Sequence, residues 1–433
     1  MEYSVFTKDY GILTKEMRLE NGDIIKDGSQ CRMAAGSVKA VTVSNLLQLA
    51  ENLKSLTSNQ AIGLGVPVGN ERELRIVTKG LEALGSISRS KEYFHFEEGT
   101  PALMLFDYDP EKGKPALTID EAYTGLIELY PAIKDCEVLA LGSTSSGTYK
   151  ESDPMPEALN GGIHFYITVD DGSKIAELGK LLANRCWLKC LGHYDISKSG
   201  ALLPRTLFDE AVFSPERLIF EAPPVLGVGL KQLPRTVKHW EGGILKTSDI
   251  NGLTTAEESR IETLKIEAKA LKQPDADIVK AACNKSEIAR LISTGISKHV
   301  ALEQVTNASN GNLTGGFELH FAGLPVMTVT DVLRDPAYFD GWELADIEDP
   351  FNGRYRSKFY KNETGLKIHT FEGGGGNYTL DKIEIKEDRD NPTGLFEQIE
   401  SAVNTGSRPD VFKRAGILCH IVSFARNNIR LPV

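Results

Sequence analysis

Apolar positions along the first 245 residues alternate between period two and helical spacing. FTKDYGILTKEMRL (6–19) and VKAVTVS (38–44) read as extended, NLLQLAENLKSL (45–56) as a helix, and AIGLGVPV (61–68) as a buried strand ending in turn residues. PALMLFDYDP (101–110) is an apolar run that ends abruptly in two acids and a proline. It is followed by a helical stretch (119–133), the strand EVLALGST (137–144), a Ser-rich loop, the strand GGIHFYITV (161–169) and the helix SKIAELGKLLANRCWLKCL (173–191). This order predicts an α+β domain over 1–245 with helices packed on a sheet.

The pattern changes near residue 250. Thr255 and Glu258 have capping-box spacing and predict a charged helix through Leu271, with a second helical stretch after Pro274. Residues 250–308 therefore read as a helical linker module. Strand patterns return in FELHFAGLPVMTV (317–329), RYRSKFY (354–360) and GLKIHTF (365–371), and GLFEQIESAV (394–403) reads as a closing helix, so 310–433 is expected to form a small α+β domain.

In an extended strand, side chains two apart point the same way, so Leu103, Leu105, Asp107 and Asp109 share one face and Met104, Phe106 and Tyr108 the other. Two carboxylates at the end of an otherwise apolar strand deliver negative charge to one point, where a divalent cation could neutralise it. Spacing alone decides nothing. Asp275 with Asp277, and Asp388 with Asp390, are spaced identically in a helix start and a solvated turn, and a water-facing strand end would explain Asp107 and Asp109 too.

Three further elements bear on that point. In GGIHFYITV the face holding Ile163, Phe165, Ile167 and Val169 is apolar, which leaves His164, Tyr166 and Thr168 opposite, where a histidine is more often a surface or satisfied residue. If PRTLFD is extended, Arg205 and Asp209 share a face, as a functional pair or an ordinary ion pair. Lys198 in DISKSG, and Ser145 and Ser146 in STSSG, offer donors suited to phosphate, although each is also an ordinary turn. Together, three acids, one histidine and two cations are the parts needed to hold two Mg²⁺ or Mn²⁺ ions and a nucleoside triphosphate for in-line displacement at phosphorus.

Charge and composition narrow the classes. A net charge of -11 over 433 residues argues against coating nucleic acid by bulk attraction, although residues 181 to 247 carry nine basic side chains against six acidic ones. No apolar stretch reaches the ~20 residues of a membrane span, MEYSVFTKDYG does not resemble a signal peptide, and six scattered cysteines show no disulfide framework. A cytoplasmic location without a membrane partner is expected. Cys186, Cys190 and His193 have C-x3-C-x2-H spacing, but without a clear fourth ligand apolar packing explains the cysteines more simply than zinc.

The order of D-x-D at a strand end, a small-x-His strand and a hydrophobic-Asp step resembles the three motifs of the archaeo-eukaryotic primase superfamily. STSSG, GGIHFYI, HYDISKSGALLPRTLFDEAVFSPERLIFEAPP and LKQ look more closely like plasmid- and phage-borne primase-polymerases. The likeness covers roughly residues 1 to 240. It implies an RRM-like catalytic core, template-dependent primer synthesis or extension on single-stranded DNA from NTPs or dNTPs, and a role in replicating a mobile element, with a replicative helicase as a further partner. By the same resemblance Asp107, Asp109 and Asp209 would bind catalytic metals, His164 would contact the triphosphate, and Lys198 and Arg205 would assist by charge. Tyr166, on the His164 face, is a candidate for the sugar. One departure stands out: the family often has Ser two residues before the histidine, where this chain has Gly162, so that hydroxyl is missing or comes from Ser145 or Ser146.

GRYRSKFYKNETGLKIHTFEGGGGNYTL (353–380) looks like a short module that follows the primase domain in phage and plasmid primase-helicases. Arg354, Arg356, Lys358 and Tyr360 alternate onto one strand face, as on a template-binding surface or on a charge-protected edge strand. The glycines at 373–376 suggest a tight turn, and no G-x-x-x-x-G-K-[ST] motor motif occurs. Two other classes remain open. One is a non-catalytic replication factor with the same fold; the other is a metal-dependent glycosyltransferase, which also uses D-x-D but needs no template.

Overall fold

The computed structural model describes residues 1–111, 114–156, 161–347, 350, 355–362, 365–371 and 376–381. The architecture is mixed α+β with several sheets. Two compact units are distinguished: Met1–His193 with Pro204–Lys269, and Tyr194–Leu203 with the described residues from Ala270 onward.

The first unit contains two main sheets. In the five-stranded one, Glu2–Lys8 lies between Gly36–Thr42 and Gln60–Gly63, both antiparallel to it, and Glu73–Val77 and Ser86–Ser88 extend the Gly36–Thr42 side. A separate hairpin, Glu16–Glu20 with Asp23–Asp27, pairs Val225–Leu226 in parallel along its first strand. The four-stranded sheet runs Ala102–Tyr108, Ile163–Val169, Val138–Gly142, Val237–Trp240. We call its first two members the acid strand and the histidine strand.

The acid strand and Val138–Gly142 are both antiparallel to the histidine strand between them, so they are parallel to each other, and the helix Ile119–Leu129 makes the crossover. That helix starts where Thr118 and Glu121 form a reciprocal capping box. The histidine strand leads into the helix Ile175–Leu188 and the chain then returns to the outer edge of the acid strand, where Phe208 bridges Tyr108 in antiparallel sense.

Every residue of the histidine strand is buried, so both its faces are covered. On the Phe165 face, Tyr123 of the Ile119–Leu129 helix stacks on the ring and Phe208 meets it edge-on. On the other face, Tyr166 and His164 reach Glu221, and the Thr168 hydroxyl donates to Met1 Sδ. Of the two ordinary readings, surface or satisfied, His164 takes the second, buried against Glu221 and Asp107. Alternation identified which residues share a face, but a second layer of the same unit covers the face it left polar.

The helix expected to stop at Leu271 instead runs unbroken from Thr255 to Ser293 through Pro274. A proline there removes only the bond to the carbonyl four residues back, at Ala270, and the remaining ladder carries the helix through. Its cap is Thr254 with Glu257, one residue earlier than the Thr255–Glu258 pair. The two units divide within this helix, at Lys269–Ala270, and not at the composition change near residue 250.

The second unit holds a five-stranded sheet ordered Asn312–Thr314, Gly376–Asp381, Gly365–Thr370, Ser357–Asn362, Glu343–Leu344. Leu313, Phe321, Phe359, Ile368 and Leu380 are among its core residues. The expected closing helix at 394–403 lies outside the described residues. No helix among the described residues is long and apolar enough to cross a membrane.

Candidate active site

The apolar run of the acid strand buries Leu103 to Phe106 completely and carries Asp107 to the strand end. Asp107 stands directly opposite His164 in the antiparallel register. A non-local contact fixes the third acid: Asp209 N–H donates to the Asp107 carbonyl at 2.9 Å, next to the Tyr108–Phe208 bridge. Three segments far apart in sequence therefore meet at one strand end.

His164 is 5% exposed and engaged on both sides. Its Nδ1 lies 2.5 Å from Glu221 Oε1, and its Nε2 stands 3.2 Å from Asp107 Oδ1. Glu221, fully buried, also accepts from the Tyr166 hydroxyl at 2.5 Å, and Arg235 grips its other oxygen and its backbone carbonyl. Arg235 is held in turn by the Gly142 carbonyl, at the end of a neighbouring strand. The order Arg235–Glu221–His164–Asp107 alternates charge, which is how buried ions offset the cost of leaving water.

The proton affinities follow. Burial alone pulls the His164 imidazole down, but the charges of Glu221 and Asp107 overcome it and hold its pKa at about 10. For Glu221 burial pushes upward, and His164 and Arg235 bring it down to about 2. Asp107, pushed up by burial, is pulled below its ordinary value by His164. Asp109 moves the other way: although it is exposed to solvent, the protein crowded around the strand end and the Asp107 charge raise it. One carboxylate of the pair is thus held ionised and the other made easier to protonate.

Gly162 explains how Asp109 fits. A Cβ there would lie 2.9 Å from Ser143 Oγ and 3.0 Å from both Asp109 Oδ1 and the Tyr108 carbonyl oxygen. The glycine therefore follows from close approach, and the Ser143 hydroxyl occupies the neighbouring space. Ser143 was not singled out from sequence; Ser145 and Ser146 were. Ser146 Oγ donates to the Gly162 carbonyl at 2.5 Å and contacts Ser143 Oγ at 3.1 Å, while the Ser145 carbonyl accepts from Thr148. These serines are buried in a loop that closes on itself.

Tyr166 is fully buried with its hydroxyl on Glu221, so in this structure it presents no surface to a sugar. Arg205 ends the strand Leu202–Arg205 and is exposed. Lys198 belongs to the second unit, at the tip of the hairpin formed by His193–Ile196 and Leu202–Arg205, where its carbonyl accepts from Cys283 Sγ at 3.0 Å. Cys186 is buried in its helix, where burial raises its thiol to about 12, and Cys190 is exposed. Arg354 lies outside the described residues; Arg356 and Lys358 are taken up below.

Sequence reading missed four charged groups. Glu221 and Arg235 lie in turn-rich stretches, IFEAPP and LPRTV, where no local periodicity assigns them a face. Lys15 and Lys26 come from the Glu16–Glu20 hairpin, whose register puts Lys26 opposite Met17, two residues from Lys15 and on the same face. Val225 N–H donates to the Lys15 carbonyl, four residues beyond Glu221. Lys15 draws both Asp107 and Asp109 downward, and Lys26, exposed at its surface, is lowered by the protein crowded around it and by Lys15 and raised in part by Asp109.

The donor set suits a hard divalent cation in kind. It offers carboxylate oxygens, and Asp107 Oδ1 is buried with no hydrogen bond, its His164 contact being an ion pair. Closure is incomplete, because Asp209 Oδ1 accepts from Ala211 N–H and caps the turn Glu210–Phe213. Among the described residues, no group of three or more His, Cys, Asp and Glu side chains is arranged to hold a metal ion.

No protein-family model matches the chain, and no similar curated protein or solved structure was found.

Proposed function

We propose that this protein is a template-dependent nucleotidyltransferase, a DNA primase or primase-polymerase that joins nucleoside triphosphates on single-stranded DNA. The observation that carries this reading is the Asp209 N–H to Asp107 C=O bond of 2.9 Å, which seats the third acid of the motif series beside the first. The chain path adds support. The acid strand, the helix Ile119–Leu129, the strand Val138–Gly142, the histidine strand and the helix Ile175–Leu188 follow in β-α-β-β-α order, and the isolated bridge at Phe208 stands where an RRM-like core would carry its fourth strand.

In this reading Asp107, Asp109 and Asp209 hold Mg²⁺ or Mn²⁺, and rotation of the Asp209 side chain out of its cap completes the set. Bound cations would supply positive charge to the attacking and departing oxygens of the displacement. The chain's own groups do the rest. Glu221 and Arg235 keep His164 protonated, and its Nε2–H faces Asp107 at 3.2 Å, so a phosphate oxygen would take that donor only by displacing the Asp107 carboxylate. Lys15 and Lys26 add charge for the polyphosphate, and Arg205 precedes Asp209 by four residues in the same unit. The setting we propose is replication of a plasmid, phage or other mobile element in the cytoplasm.

The test is labelled-nucleotide incorporation with and without added template and primer, using NTPs and dNTPs separately. Asp107→Ala with Asp109→Ala should abolish incorporation while the protein stays folded; retained incorporation overturns the reading. Template-independent transfer to a sugar acceptor would favour a glycosyltransferase. A non-catalytic replication factor is the second reading, and the capped Asp209 favours it. Calorimetry separates the two, since that factor would bind DNA but not Mg²⁺ with a triphosphate.

A further inference from the structure

The strand Ser357–Asn362 lies between Gly365–Thr370 and Glu343–Leu344 in the second unit's sheet. Glu343–Leu344 pairs with its residues Ser357 and Lys358, so the Lys358 charge is not there to protect a free edge. Phe359 and Ile368 point into the core and are fully buried, which places the alternate positions on the opposite face.

That face has a regular composition. Lys358 is paired with His369, and Tyr360 with Lys367. One step beyond, Phe371 N–H donates to the Arg356 carbonyl at 2.8 Å. Each of three successive rungs thus joins one cation to one ring. Lys358 Nζ also lies 6.0 Å from the Tyr360 ring centroid, His369 meets Phe371 edge-on, and Phe371 is 59% exposed. Rungs recur every two residues, roughly 7 Å along a strand, comparable to one nucleotide step of an extended single strand. Cation–aromatic pairs would stabilise any sheet, but an exposed Phe beside unburied cations is better matched by a ligand with a π-face and a phosphate at each step.

We infer that this sheet face binds single-stranded nucleic acid, with Tyr360, His369 and Phe371 stacking bases and Arg356, Lys358 and Lys367 contacting phosphates. This deepens the proposed function by giving the template a second foothold, and the binding itself does not depend on catalysis.

The test is fluorescence anisotropy of a labelled oligo-dT with the full chain in EDTA, over a range of salt. The triple variant Arg356→Ala, Lys358→Ala, Lys367→Ala should bind at least tenfold more weakly, and the slope of log K against log salt should fall by about 2. Phe371→Ala should weaken binding about tenfold with little change in slope. Circular dichroism melts check folding, and Lys358→Arg should bind as the wild type does. Binding that is absent in the wild type, unchanged in both variants, or stronger for duplex overturns the inference. Asp107→Ala with Asp109→Ala separates the two proposals: lost incorporation with intact oligo-dT binding sustains both, whereas a wild type that binds through this face but never incorporates nucleotide removes only the polymerase reading.

Discussion

Glu221 Oε1 lies 2.5 Å from His164 Nδ1, in a pocket where the carboxylate is fully buried. The pair is the electrostatic centre of the candidate site, because His164 passes its charge to Asp107 on the far side of the ring. An imidazolium this far from water exists only while an anion faces it.

Glu221→Gln keeps the shape and removes that anion. The substitution should destabilise the fold by about 3–5 kcal/mol, the cost of breaking a buried ion pair from one side. The pH dependence has two limbs. Glu221, at about 2 against a usual 4.5, contributes stability that is present above 4.5 and lost as the pH falls toward 2. His164, at about 10 against 6.5, contributes stability that is complete below 6.5 and lost as the pH rises toward 10. The cluster's contribution should therefore peak between 4.5 and 6.5 and decline on both sides. In Glu221→Gln the alkaline decline should be smaller and end at lower pH, because the folded-state pKa of His164 falls; superimposable melting profiles would count against the assignment.

Asp109 is raised by the protein crowded around the strand end and by Asp107, so it should protonate at higher pH than an ordinary aspartate. Nucleotide incorporation that needs both acids ionised should fall on acidification at a correspondingly higher pH. Asp107→Asn removes the second of those two causes and should lower the Asp109 pKa, which NMR titration of its carboxyl carbon reads without any activity. The same variant should cut incorporation by more than about 100-fold, since losing even an outer-shell partner of a metal ligand costs roughly 10–100-fold.

Gly162→Ser adds a side chain where the strand end leaves no room, and should be harmful. Its Cβ would press on the Tyr108 carbonyl, Ser143 and Asp109. We expect a loss of about 1–3 kcal/mol from overpacking, with cation affinity, measured by calorimetry, falling alongside. A variant with wild-type stability and affinity would show that the strand end yields easily.

Lys15→Ala and Lys26→Ala each remove one charge opposite the acids. Triphosphate affinity should drop about five- to tenfold for each, as for a lost charge-assisted contact, with melting temperature little changed. Lys15→Ala should also raise the pKa of Asp109, which Lys15 lowers. If affinity is untouched while Asp109 shifts, the lysines serve only to balance the acids.

Part of this was legible in one dimension. The apolar run into Asp107, the period-two assignment of His164 and Tyr166 to one face, and the helix Ile119–Leu129 all follow from local spacing, because strand and helix periodicity are properties of neighbouring residues. The cap of the long helix could be read only to within one residue, since Thr254 and Thr255 offer the same box.

What covers each face, and who pairs with whom, depended on tertiary structure. Alternation left His164 on a polar face, yet its partner lies 57 residues away, and only burial turns that contact into a charge-holding pair. The outward side of Ser357–Asn362 looked the same for an edge as for an inner strand until its two neighbours were known. Local pattern reports which way a side chain points. The dielectric and the charges it meets there are set by segments brought together only when the chain closes on itself.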